Sequence, residues 1–347
     1  MDSDKESEMI FLTGGTGMLG AHLLLDLTRS GVKVRALKRK NSDLEMVKKI
    51  FSWYTENSKE LFSKIEWVEG DLLDSLSLKK AMEGTDYVIH AAAKVSFLPS
   101  DRIAMLHENV VGTANLVDVA LALKIKRFCH VSSIAALGNH DSGLPVTEEF
   151  SWKNDSRRSA YSESKFQSEM EVWRSIEEGL ECVIVNPSVI LGPGKWNSGS
   201  PRLFQTVAKG MKFYTSGSTG FVDVRDVSRA IVTLIQSEDW DTIKNQRYVL
   251  SAENIPYRDL FEMIAVALNQ PKATIRADRL FLQLGWRASK LASIFTGKEP
   301  ALTRDTAKSA GKVSFYDGSK ITRILVFAYT PIATAIRDVG KIFLDEH

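Results

Sequence analysis

The strongest constraint on this chain is an apolar run, Met9 to Thr13, that leads straight into Gly14-Gly15-Thr16-Gly17-Met18-Leu19-Gly20. Leu19, Leu23, Leu24 and Leu27 then recur at helical spacing. A strand that turns through glycines into a helix leaves the first helical N–H groups unpaired and points the positive end of the helix dipole at the turn. Glycines at 14, 17 and 20 let the backbone turn tightly, approach a pyrophosphate and pack the helix on the sheet. A glycine-rich turn with no ligand is the competing reading. The strand before and the helix after tell against it. The spacing is Gly-x-x-Gly-x-x-Gly rather than Gly-x-Gly-x-x-Gly.

The first half repeats this alternation. Val32 to Leu37, Ile65 to Val68, Tyr87 to Ala91, Arg127 to Ser132 and Cys182 to Val185 read as strands, with helical patterns between them. The fold class expected is α/β: a doubly wound parallel sheet, apolar on both faces, with a smaller, mostly helical substrate-binding region. The dinucleotide-binding unit is expected over residues 9–191, with 221–236 returning to it. Residues 192–220 and 237–347 would form the substrate region, where an apolar helix from Leu280 to Phe295 is expected to cap a pocket, with a lipid-facing role as the lesser alternative. At 347 residues and 44% apolar, the chain can bury a large core. Its 45 basic and 43 acidic side chains give no electrostatic case for nucleic acid. No apolar run approaches the roughly 20 residues that span a bilayer, and the acidic start, Met1 to Glu8, is no signal peptide. A cytoplasmic location without a membrane partner is therefore expected. Cys129 and Cys182 lie in apolar runs and read as buried, reduced thiols. His90, His107, His130 and His140 share no metal-ligand spacing, so no metal site is expected.

Which dinucleotide binds is read at the end of the second strand, where an acid about 20 residues after the glycines holds a ribose hydroxyl in NAD sites. Here that stretch is Arg35-Ala36-Leu37-Lys38-Arg39-Lys40, and no acid appears before Asp43. Arg39 offers a guanidinium fork to a 2′-phosphate, so NADP is favoured and NAD remains open. A solvated basic loop is the plain alternative. Tyr161 and Lys165 stand at i and i+4, on one helix face. An ammonium beside a phenol of ordinary pKa ~10, together with an oxidised nicotinamide, is expected to pull it down towards acid–base use. Tyr316 and Lys320 share the spacing, but Gly318 and Gly311 break that segment, which reads as a surface turn.

Further features single out the first pair: Val131-Ser132-Ser133 at a strand end, His90-Ala91-Ala92-Ala93 at another, and Asn109-Val110-Val111-Gly112-Thr113-Ala114-Asn115 opening a helix. With Gly70-Asp71-Leu72, Asn186-Pro187-Ser188-Val189-Ile190-Leu191-Gly192-Pro193-Gly194 and Phe221-Val222-Asp223-Val224-Arg225-Asp226-Val227, the chain resembles the extended branch of the short-chain dehydrogenase/reductase superfamily from Ile10 to about residue 340. Within that branch it looks like dihydroflavonol reductases and related aldehyde or ketone reductases, with 3β-hydroxysteroid dehydrogenases as near neighbours. The resemblance implies that Gly14, Gly15, Thr16, Gly17, Met18, Leu19 and Gly20 cradle the pyrophosphate. Asp71 and Leu72 would hold the adenine edge, Ala91, Ala92 and Ala93 line the ribose side, and Pro187, Ser188 and Val189 flank the nicotinamide. Ser133, five residues before Gly138, is implied as the catalytic serine over Ser132. Tyr161 and Lys165 complete the catalytic set and also touch the cofactor.

The function expected is NADP(H)-dependent reduction of an aldehyde or ketone, or oxidation of the alcohol. An NAD-dependent nucleotide-sugar epimerase and a non-catalytic NADP-binding redox sensor are the alternatives. Ile134-Ala135 stands where a dehydratase has an acidic pair. The partner expected is a small carbonyl or alcohol, with a homodimer left open. Specificity is expected in Val95 to Ser100, Gly138 to Trp152 and Lys195 to Phe213, with Phe97, Leu98, Leu144, Trp196, Phe204 and Phe213 around an apolar substrate.

Overall fold

A computed structural model describes residues 8–138, 143–150, 159–296 and 303–347. The strands are β1 (Met9–Thr13), β2 (Lys33–Lys38), β3 (Ile65–Glu69), β4 (Tyr87–His90), β5 (Arg127–Val131) and β6 (Cys182–Pro187). They continue as β7 (Val189–Leu191), β8 (Phe213–Tyr214), β9 (Ser218–Asp223), β10 (Gln246–Leu250), β11 (Glu253–Pro256) and β12 (Ile275–Arg276). Seven form one parallel sheet in the order β10-β6-β5-β4-β1-β2-β3. Every residue of β4 and β6 is buried, as strands covered on both faces must be.

The first helix, Met18–Arg29, and the helix Val224–Gln236 cover one face, where Leu23, Leu24, Leu27, Ile231 and Leu234 are fully buried. The helices Gly112–Ala122 and Ala160–Glu177 cover the other, packing Leu116, Val117 and Val172 against Phe11, Phe128 and Ile184. Cys129 and Cys182 are free and buried in these layers. A second, three-stranded sheet, β11-β9-β7, carries a separate core with the helices Tyr257–Ala267 and Ile332–Glu346.

Two boundaries differ from the expectation. The strand at Phe221 belongs to the second sheet, and only the helix after it returns to the first. Conversely, β10 lies within the stretch assigned to the substrate region, yet pairs with β6 as the edge of the main sheet. The helix Arg279–Thr296 forms where the apolar pattern placed one, but it turns Leu280, Phe281 and Leu284 outward. Trp196 and Phe204, expected beside a substrate, are packed among Leu191, Phe221 and Phe343 as ordinary core.

Candidate active site

Strand order reverses between β1 and β4, which opens a crevice beyond the carboxyl ends of the strands. Gly14 sits there at φ +78°, and a Cβ on it would come within 2.6 Å of the Ala91 carbonyl carbon and the Ala92 nitrogen. The glycine turn thus lies directly on the Ala91–Ala93 segment. A Cβ on Gly20 would overlap the Gly14 carbonyl oxygen, so the first helix also depends on a missing side chain. Gly17 caps that helix in an extended conformation without a side-chain hydrogen bond. The first-turn N–H groups are left for an anion, and this cradle fits a pyrophosphate. Thr13 fastens the floor. It accepts from Ala92 N–H at 3.3 Å and pairs with His90 Nδ1 at 2.7 Å, while His90 Nε2 meets Thr113 Oγ1 at 3.0 Å. Burial pushes the His90 imidazole down to about 3, with the Lys165 charge acting the same way, so it stays neutral.

At the end of β2, Arg35 bonds Glu66 at 2.7 Å and Lys38 bonds Glu69 at 2.9 Å, both across to β3. Arg39 is exposed, and its guanidinium has no ion-pair partner among the described residues. Asp71 is exposed, its carboxylate accepting from Leu73 N–H at 3.0 Å. Leu72 is held by Asn115, whose amide donates to its carbonyl at 2.9 Å.

Ser159 caps the helix Ala160–Glu177 by accepting from Ser162 N–H, which sets Tyr161 in the first turn and Lys165 one turn later. Lys165 is buried and donates to the Val131 carbonyl at 2.9 Å. Burial pushes its ammonium down to about 8, against the nearby Glu169 charge. Ser133 caps a short turn through Ala135 N–H at 3.1 Å, and its hydroxyl lies near enough to the Tyr161 phenol to act on its pKa. The expected lowering of the phenol by Lys165 is not what the geometry gives. Burial raises the Tyr161 pKa, and the group that counters it is Ser133. Phe97 packs edge-on against the Tyr161 ring at 5.9 Å between centroids. Asn109 bonds both Lys94 and Ser164, pinning the segment after Ala93 to the tyrosine helix.

The two adjacent serines have separate partners. Ser132 donates to Glu169 at 2.6 Å, so its hydroxyl is committed below the site while Ser133 faces Tyr161. Glu169, buried, also accepts from Asn186 at 2.9 Å, Arg247 at 3.2 Å and Trp173 at 3.3 Å. Asn186 donates onward to the Ser133 carbonyl at 3.1 Å. The sequence reading missed Glu169. Its position four residues after Lys165, on the same helix face, was the available signal. Pro187, Ser188 and Val189 bridge β6 and β7, with Ser188 N–H donating to the Leu250 carbonyl at 2.9 Å.

The second Tyr/Lys pair is not a surface turn. Tyr316 is buried, bonded through its backbone to Asn254, and Lys320 donates to the Arg247 carbonyl from a helix that begins only at Ser319. Among the described residues no three His, Cys, Asp or Glu side chains gather as a metal would require. His140 and Trp152 lie outside those residues.

With this geometry in place, comparison with known proteins gives the family. Residues 10–250 match the model of the NAD dependent epimerase/dehydratase family. The chain belongs to that family. It is an NAD(P)-dependent enzyme of the extended short-chain dehydrogenase/reductase type. It is 30% identical over 341 residues to a putative dihydroflavonol 4-reductase of Synechocystis, covering 97% of this chain and 95% of the relative. It is 28% identical over 279 residues to the UDP-glucose 4-epimerase of Vibrio cholerae, covering 77% and 78% of the two. The crystal structure of gox2253 superposes with a TM-score of 0.78 at 28% identity, over 98% of each chain. No helix among the described residues is long and apolar enough to cross a membrane.

Proposed function

We propose that this enzyme reduces an aldehyde or ketone with NADPH, or runs the reverse oxidation of an alcohol. Lys165, buried one turn from Tyr161 on the same helix and donating to the Val131 carbonyl, carries the reading. The nicotinamide cofactor supplies the hydride when bound. Tyr161 Oη delivers the proton to the carbonyl oxygen, and Ser133 Oγ holds that oxygen as negative charge develops. The Lys165 ammonium, fixed by the Val131 carbonyl, holds the nicotinamide ribose. Gly14 to Gly20 and the first-turn N–H groups hold the pyrophosphate, and the segments at Asp71–Leu72, Ala91–Ala93 and Pro187–Val189 line the remainder.

NADPH is favoured over NADH because Arg35 and Lys38 are already committed to Glu66 and Glu69, whereas Arg39 has no ion-pair partner among the described residues. Phe97, exposed beside Tyr161, favours a substrate with an apolar body next to its carbonyl. The intact Tyr/Lys pair argues against a non-catalytic sensor. The test is a panel of aromatic aldehydes, ketosteroids and nucleotide sugars, followed by NADPH oxidation and by epimer formation. Carbonyl-dependent NADPH consumption is expected, and an epimerised sugar without net consumption overturns the reading. Arg39→Ala is expected to weaken NADPH by about 1–3 kcal/mol, as for a charge-assisted hydrogen bond, and NADH little. Equal affinity of the unmutated enzyme for both cofactors rules out the NADP preference.

A further inference from the structure

The helix Arg279–Thr296 packs inward through Leu282 and Trp286 on Ala277, Ala307 and Ala310. Its other side is largely exposed. Leu280 is 72% exposed, Leu284 61% and Phe281 48%, and at i, i+1 and i+4 they share one helix face. Phe281 meets Phe213 in a tilted ring contact at 4.8 Å, and Phe213 pairs in register with Ile275 between β8 and β12. Phe213 and Ile275 are exposed too, so the apolar surface continues beyond the helix. A cap over a pocket would turn these side chains towards the protein.

The sequence through this helix is lopsided in charge. Residues 272–312 carry nine Lys or Arg against three Asp or Glu, in a chain that is nearly neutral as a whole. Arg287 and Lys290 are exposed on the helix itself, and Lys212 is exposed beside Phe213. Arg287 bonds Gln283 and lies over Trp286, while Lys272 and Arg276 pair with Glu262 and Asp278. A helix with Leu and Phe on one face and basic residues on its flank is the form that lies in the plane of a membrane interface, its apolar side about 5–10 Å into the boundary. A second copy of the chain would set one cationic flank against another. Nucleic acid would leave the leucines unburied.

We propose that this face docks on an anionic lipid bilayer, with Leu280, Phe281 and Leu284 inserted and Arg287 and Lys290 at the headgroups. The proposal replaces the expected cap and adds a membrane partner without any spanning segment. It stands apart from the reductase reading, because vesicle binding needs no turnover.

The test is sedimentation of the full chain with vesicles of phosphatidylcholine alone and of phosphatidylcholine with phosphatidylglycerol. Partition onto the anionic vesicles is expected to exceed that onto neutral ones by about tenfold, and to fall with added salt. Leu280→Asp with Leu284→Asp, at positions too exposed to disturb the core, is expected to abolish it, and Arg287→Glu with Lys290→Glu to weaken it. Circular dichroism confirms that both double variants are folded. Failure of the unmutated chain to bind anionic vesicles overturns the proposal. So does binding that the leucine variant leaves unchanged. A leucine variant that instead halves the mass in light scattering, with no vesicle binding by either protein, assigns the face to a second copy. One that raises the carbonyl KM with no vesicle binding by either protein restores the cap.

Discussion

Tyr161 is poised by neighbours that differ from those its spacing advertised. The tyrosine and lysine were legible at i and i+4, and the choice of Ser133 over Ser132 came from resemblance. The reason for that choice is physical: Glu169 has already taken the Ser132 hydroxyl. Tyr161→Phe is expected to lower kcat by about 10²–10⁴, the range for a general acid, while the cofactor Kd stays within about twofold. Turnover that survives in this variant places the proton donor elsewhere. Tyr316→Phe, buried but outside the crevice, is expected to leave kcat unchanged. Glu169 was not legible, because a single acid on a helix reads as a solvated face until its burial is seen. Glu169→Gln keeps the shape but removes the charge that supports the Lys165 ammonium. Since Lys165 titrates near 8 in the fold, the alkaline limb of the rate profile should begin there and move to lower pH in Glu169→Gln, with kcat down about tenfold, or 1.4 kcal/mol. A limb that stays in place removes Glu169 from the proton chemistry.

The elements were legible to the degree that their burial was uniform. β1 to β6 run through the middle of the sheet or follow strong apolar runs, and each was found within a residue or two. β10 was missed because it is an edge strand that opens with Gln246 and Arg247, both only half-buried. The outward face of the helix Arg279–Thr296 was unreadable for another reason: periodicity finds an apolar stripe but not which way it faces. The glycine turn was legible because its geometry admits no alternative residue. At Gly14 a Cβ would meet the backbone of Ala91 and Ala92 at 2.6 Å, in a left-handed conformation that disfavours any side chain. Neither neighbour is a flexible side chain that can yield. Gly14→Ala is therefore expected to cost at least about 1–3 kcal/mol, the usual size of such backbone strain, and to weaken NADPH binding with it. Denaturant titration and a cofactor thermal shift check both. A variant as stable as the parent, with unchanged affinity, refutes the close approach.

Across the molecule as a whole, three histidines among the described residues are buried in the neutral state. Burial pushes His22 down to about 4, His90 to about 3 and His130 well below its ordinary value. The unfolded chain titrates them near pKa ~6.5. Above that pH neither state is protonated and they contribute nothing to the pH dependence. Below it the unfolded chain binds protons that the fold refuses, so stability falls as pH drops from 6.5. The loss begins near pH ~6.5 and grows down to about 4 for His22 and about 3 for His90, while Asp26 and Asp226, raised by burial, act in the opposite direction over the carboxylate range. His90 has Thr13 and Thr113 on its two nitrogens, so replacing it would break a working network. His130 differs: it lies 5.2 Å from the His90 ring, and neither of its nitrogens has a hydrogen-bond partner among the described residues. A buried donor left unmatched costs about 1–3 kcal/mol. His130→Phe keeps a planar ring and removes both the unmatched groups and one acid-sensitive site. The variant is expected to match or exceed the parent's urea midpoint at pH 7 and to lose less of it at pH 5. A variant that loses as much between the two pH values as the parent does would show that His130 takes no part in the acid sensitivity.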